Sequence, residues 1–96
     1  MSFIRLFIVN ARDAQAQYFI ERDFCEAKDY LADKSGCELS QVLSQDDGLI
    51  VAFLTVWASR EDALQFHESG LNNLVTTVTE RHITGKPVTW LLRVLC

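Results

Sequence analysis

The chain of 96 residues has one proline, four glycines and three cysteines, and no stretch of it approaches a membrane-spanning length. A bilayer-crossing helix takes about 20 apolar residues, and the longest apolar runs, Leu49 to Leu54 and the segment around Trp90 to Leu95, fall far short. Arg5 interrupts the apolar start and no small-residue cleavage site follows, so Phe3 to Val9 reads as a strand rather than an export signal. Cys25, Cys37 and Cys96 are odd in number and include no Cys-x-x-Cys pair. They suit neither a disulfide framework nor a zinc site, and point to reduced thiols in a cytoplasmic protein. With so little proline and glycine there is no linker, repeat or low-complexity tract, and the length fits one domain spanning residues 1–96.

Positive charge is also scarce. Nine basic against thirteen acidic residues give a formal charge of -4, and the basic residues are scattered, so a nucleic-acid backbone would find little to hold. No Gly-x-Gly-x-x-Gly, P-loop, Gly-x-Ser-x-Gly or Cys/His nucleophile pattern occurs, which argues against nucleotide-dependent enzymes and hydrolases. His67-Glu68 lacks the second histidine of a zincin helix, so a bound metal is not expected.

What the chain does have is apolar periodicity, with 49% hydrophobic residues. Phe3 to Val9 alternates with period two and predicts a first strand. From Asp13 to Asp33, Ala16, Ile20, Phe24, Ala27 and Leu31 recur at spacings of three and four, which predicts a long amphipathic helix, with Gly36 as its cap. Glu38 to Ser44 alternates again. Asp46-Asp47-Gly48 tolerates the left-handed backbone of a tight hairpin, leading into a third strand from Leu49 to Trp57. Ser59 followed by Glu61 and Asp62 is a helix-start signal. A helix from Arg60 to Ser69 is expected to break or bend at Gly70, with helical spacing continuing through Leu71, Leu74, Val75 and Val78 to about His82. Gly85-Lys86-Pro87 ends it, and Val88 to Leu95 is the last strand. The order β-α-β-β-α-β is the ferredoxin-like arrangement, an α+β fold with a four-stranded antiparallel sheet and helices on one face.

Such a sheet normally alternates apolar and polar residues, yet here both faces are greasy. The wholly apolar set Ile4, Leu6, Ile8, Ile50, Ala52, Leu54, Val56, Val88, Trp90, Leu92 and Val94 is expected to face the helices. The opposite set, with Phe3, Phe7, Val9, Leu49, Val51, Phe53, Trp57, Leu91 and Leu95, would then need a cover. A second copy of the chain supplies one, and a homodimer follows; an overpacked monomer is the alternative. That second face also carries Arg5, Thr55, Thr89 and Arg93 among its aromatics. A few polar groups converging in an apolar cavity suit a small apolar or aromatic ligand, with the arginines either receiving an anionic oxygen or forming salt bridges, to Glu38 for example.

From Thr55-Val56-Trp57-Ala58-Ser59-Arg60-Glu61-Asp62-Ala63-Leu64, through Phe66-His67 and Ser69, the chain resembles the antibiotic-biosynthesis-monooxygenase-like family of dimeric α/β barrels. The resemblance extends over nearly the whole chain in element order. It implies a homodimer with a pocket between sheet and helices. In members that oxygenate phenolic or quinol compounds without metal or flavin, the deprotonated substrate itself passes electrons to oxygen. Such members often pair the strand tryptophan with an asparagine four residues earlier, where this chain has Phe53. The heme-degrading branch is matched at Asn10, but Phe66 and Thr76 stand at its tryptophan and histidine positions.

Three residues are candidate catalytic groups. His67 is the candidate general base, imidazole being the side chain suited to proton transfer near neutral pH, the Trp57 indole can orient a substrate oxygen, and the Asn10 amide can meet a bound oxygen or carbonyl. Each has a packing or turn role as its alternative. Arg5, Phe7, Phe53, Thr55, Phe66, Leu91 and Arg93 are the expected substrate-binding residues. Two functions follow: a cofactor-independent monooxygenase acting on a small hydroxylated aromatic or quinol, or a non-catalytic module binding a small ligand such as heme.

Overall fold

In a computed structural model, residues 2–96 are described, save the side chains at positions 71 and 78, so the expected apolar roles of Leu71 and Val78 lie outside the described residues. Four strands and three helices follow one another: β1 (Phe3–Asn10), α1 (Ala14–Leu31), β2 (Cys37–Ser44), β3 (Ile50–Trp57), α2 (Arg60–His67), α3 (Gly70–Glu80) and β4 (Val88–Arg93). The sheet is antiparallel, in the order β2-β3-β1-β4. This is the expected ferredoxin-like arrangement, with the second helical segment in two pieces.

Local chemistry sets the helix ends. Asp13 caps α1 by accepting from the Ala16 amide, Ser59 caps α2 through the Asp62 amide, and Ser69 caps α3 through the Asn72 amide, each satisfying a donor that the first turn leaves orphaned. Of the two outcomes expected at Gly70, the break is the one found: α2 ends at His67 and Gly70 opens α3. The stripe Ala16, Ile20, Phe24, Ala27 and Leu31 is buried, as its spacing predicts. Phe24 sits between Phe7 and Phe53 at ring separations of 5.9 and 5.5 Å. Three such aromatic side chains dominate the core under α1.

Two local expectations are corrected. Among the described residues only Gly36 and Gly85 have positive φ, so Asp46-Asp47-Gly48 turns without left-handed backbone. Gln45 closes that loop instead, its amide donating to the Ile50 carbonyl and its side-chain oxygen accepting from the Ile50 amide. Gly36, with φ of 86°, lies past the Ala32 cap of α1. It shapes the turn into β2, where a side chain would collide with Asp62.

The main correction concerns which sheet face meets the helices. Arg5, Phe7, Val9, Val51, Phe53, Thr55 and Trp57 are buried beneath the helical layer. The set expected there, Ile4, Leu6, Ile8, Ala52, Leu54 and Val56, with Ile50, Val88, Trp90 and Leu92, is half-buried or exposed on the open face. Leu39 and Leu43, in register with Val56 and Ala52, extend it onto β2. The parity argument assumed that helices take the purest apolar face. Arg5 and Thr55 on the other face are instead met by the side chains of His67, Asn72 and Trp57, which removes the penalty that would have kept them out of a core.

Candidate functional site

The strand ends nearest α2 carry the polar groups of the core. Arg5 and Thr55 are register partners on β1 and β3, and both point under the helices, Arg5 at 2% and Thr55 at 0% exposure. The Arg5 guanidinium donates from Nε to His67 Nδ1 at 3.3 Å and from Nη2 to Asn72 Oδ1 at 2.7 Å. It also lies 5.4 Å from the Phe7 ring centre and 5.2 Å from that of Phe66, where the ring faces attract a cation. No carboxylate forms a salt bridge with it among the described residues. Burial pulls its pKa down to about 10, which leaves it charged at neutral pH. The guanidinium is thus held by uncharged side chains and aromatic faces, and no carboxylate among the described residues neutralises it.

Thr55 completes the arrangement. Its hydroxyl accepts from Trp57 Nε1 at 2.9 Å and donates to the Arg5 carbonyl at 3.5 Å. Trp57 stacks on Phe66, with ring centres 5.1 Å apart. The Trp57 indole N–H is thus donated within the protein, and Phe66 is the shared wall between tryptophan and arginine. His67 closes α2 with its ring on the exposed side and Nδ1 turned inward to Arg5. A ring nitrogen that accepts cannot carry the proton, so the hydrogen-bond network assigns it to Nε2.

Asn72 escaped the sequence reading. Its side chain accepts from Arg5 and donates from Nδ2 to the His67 carbonyl at 2.8 Å, binding the end of α2, the start of α3 and β1 together. In sequence it looks like one of two surface asparagines. The available signal was its place three residues after a serine cap, where side chains commonly reach back past the helix start.

The other expected site residues divide. Leu91 and Arg93 line a cleft of about 420 Å³ together with Phe3, Arg60 and Ala63, between β4, the start of β1 and α2. Arg60 was absent from the expected site. Phe7 and Phe53 pack on Phe24 in the α1 core. Asn10 is exposed and pairs with Ile50 at the far end of β1, five residues and about 17 Å along the strand from Arg5. It does not join Trp57 and His67 in one site. Glu38 accepts from Ser2, and no salt bridge joins it to Arg5 or Arg93 among the described residues.

No family model matches the chain, and no curated protein matches it. Solved structures do. The chain is similar to a Nitrosomonas europaea protein provisionally named an antibiotic biosynthesis monooxygenase, at a TM-score of 0.85 and 9% identity over 98% of this chain and 90% of that one. It is similar to SnoaB, a cofactor-independent oxygenase of Streptomyces nogalater, at a TM-score of 0.80 and 13% identity over 97% and 92%. A Bacteroides fragilis protein of unknown function, described as dimeric with a ferredoxin-like fold, matches at a TM-score of 0.77 and 11% identity over 97% and 96%. At these identities the likeness is one of fold: the chain has the ferredoxin-like fold found in structures named as antibiotic biosynthesis monooxygenases.

Proposed function

We propose that the chain forms a homodimer through its open sheet face and acts as a cofactor-independent monooxygenase on a small hydroxylated aromatic or quinol. The observation that carries this reading is the buried Arg5 guanidinium, free of any carboxylate among the described residues and set between two aromatic rings beside His67. Oxygenation of a phenol to a quinone by O2 draws all four electrons from the substrate; one oxygen atom enters the ring and the other leaves with two hydrogens as water. Such chemistry needs the substrate as an anion, a group to stabilise it and shelter from water. Arg5 stabilises the phenolate. A substrate oxygen that draws Nε away from His67 also frees Nδ1 to take the phenolic proton. The likeness of fold to a cofactor-independent oxygenase supports the reading.

A second reading, a non-catalytic ligand-binding module, is favoured by one specific feature: the Trp57 donor and His67 Nδ1 are both engaged within the protein. Oxygen uptake with a panel of hydroquinones and naphthols separates the two. The enzyme consumes oxygen, and uptake falls at least tenfold in His67→Ala and in Arg5→Met. If no panel member is consumed while one raises the melting temperature, the binding module is the correct reading. A Soret band on titration with hemin would identify its heme-binding form.

A further inference from the structure

The cleft beside the buried site carries positive charge that no carboxylate among the described residues pairs with. Among the described residues it is lined by Phe3, Arg60, Ala63, Leu91 and Arg93. Two of the nine basic residues of a chain with formal charge -4 therefore face one small space, and a third, Arg5, is the register partner of Leu91 in its wall. Arg93 is in register with Phe3, so β1 and β4 present one guanidinium and one aromatic ring side by side, and Arg60 enters from the first turn of α2. Neither Arg60 nor Arg93 has a carboxylate partner among the described residues. The nearby Asp62 carboxylate accepts instead from the Ser59 hydroxyl at 2.9 Å.

We infer that this cleft binds the carboxylate of a small aromatic acid, Arg60 and Arg93 taking the carboxylate oxygens while Phe3, Ala63 and Leu91 flank the ring. The volume of about 420 Å³ falls within the usual range of small-molecule sites. Guanidiniums match carboxylates in geometry as well as charge. The apolar half of the lining is what selects an acid with an apolar body over a free inorganic anion, because a bare phosphate leaves Phe3 and Leu91 facing water. This inference deepens the proposed function and rests on it for its biological meaning: it makes the substrate a hydroxylated aromatic acid, anchored by its carboxylate beside Arg5. Its own test is a binding test that needs no turnover.

The probes are 2-naphthoate, its methyl ester and inorganic phosphate, titrated into the whole protein and followed by calorimetry and amide chemical shifts. The acid should bind and shift the amides of Phe3, Ala63 and Leu91. The ester and phosphate should bind at least tenfold more weakly, and the affinity for the acid should fall with added salt. Arg60→Gln and Arg93→Gln should each weaken the acid at least tenfold; both positions are exposed, so the variants keep the fold, which their melting curves verify. An ester that binds as well as the acid overturns the inference, as does unchanged affinity in both variants, a shift pattern elsewhere, or no binding of the acid at millimolar concentration. Oxygen uptake reads the enzymatic proposal separately: naphthoate binding without uptake of any hydroxynaphthoate keeps the carboxylate site and removes the oxygenase.

Discussion

Arg5 and His67 stand 62 residues apart in the chain and meet through a hydrogen bond from Nε to Nδ1 of 3.3 Å. That contact joins the first strand to the end of the second helix and fixes what each partner can do. The imidazole holds its proton away from the arginine, and the guanidinium is aimed by groups that do not neutralise it.

The tautomer is measurable. Nitrogen chemical shifts of His67 at neutral pH should show an unprotonated Nδ1 and a protonated Nε2. In Arg5→Met, with the donor gone, the two nitrogens should move toward the mixture of an unconstrained imidazole. A protonated Nδ1 in the native protein would contradict the contact from which the proposed proton transfer starts.

Asn72 is the joint between α2, α3 and β1. Replacing it by alanine removes an acceptor from a buried guanidinium and a donor from the His67 carbonyl. The expected cost is about 2 kcal/mol, the usual range for a buried hydrogen bond to a charged group. Urea unfolding checks this. Arg5→Met should cost no more, because it removes the burial penalty of the charge along with its bonds. If Arg5→Met proves much the more damaging, the guanidinium is chiefly a structural member.

The open sheet face predicts the assembly. Ile4, Leu6, Ile8, Leu54, Val56, Trp90 and Leu92 leave an apolar patch on the order of several hundred Å², more than monomers ordinarily expose, and at about 25 cal/mol per Å² its burial drives association. Light scattering at micromolar concentration should report a dimer, and Leu54→Glu should report a single chain with the same helical content. A monomeric native protein would show that the face has another cover or none.

Burial pushes the Cys37 thiol up from its ordinary value of 9.0. Less thiolate is then present at pH 8, so Cys37 should react more slowly with iodoacetamide than the exposed Cys25, as site-resolved mass spectrometry would record. The linkage has a definite sign: a thiol whose folded pKa is raised binds more protons in the fold, so its contribution to stability declines as the pH climbs above about 9. Cys37→Ala should flatten that decline.

Much of the fold was legible because it depends on local periodicity. The α1 stripe appears in the sequence at helical spacing and is the stripe that is buried, since a helix face is decided by residues three and four apart whatever they pack on. Ser59 was readable as a cap for the same reason. The face of the sheet was not. Alternation sorts strand residues into two sets but does not say which set the helices will cover, and the purer apolar set turned out to be the open one. Arg5 and Thr55 could enter the core only because His67, Asn72, Trp57 and Phe66 arrive there to meet them.

By itself the sequence determined the order and type of the elements, the buried stripe of α1, and the presence of more apolar sheet surface than one layer of helices can cover. Only the tertiary structure decided that Arg5 lies inside, that Asn72 and His67 hold it, that Asn10 stands apart, and that Arg60 joins Arg93 across a cleft. The reason is range: elements are set by neighbours a few residues away, whereas each of these relationships depends on side chains brought together from distant segments, whose meeting leaves no period in the chain.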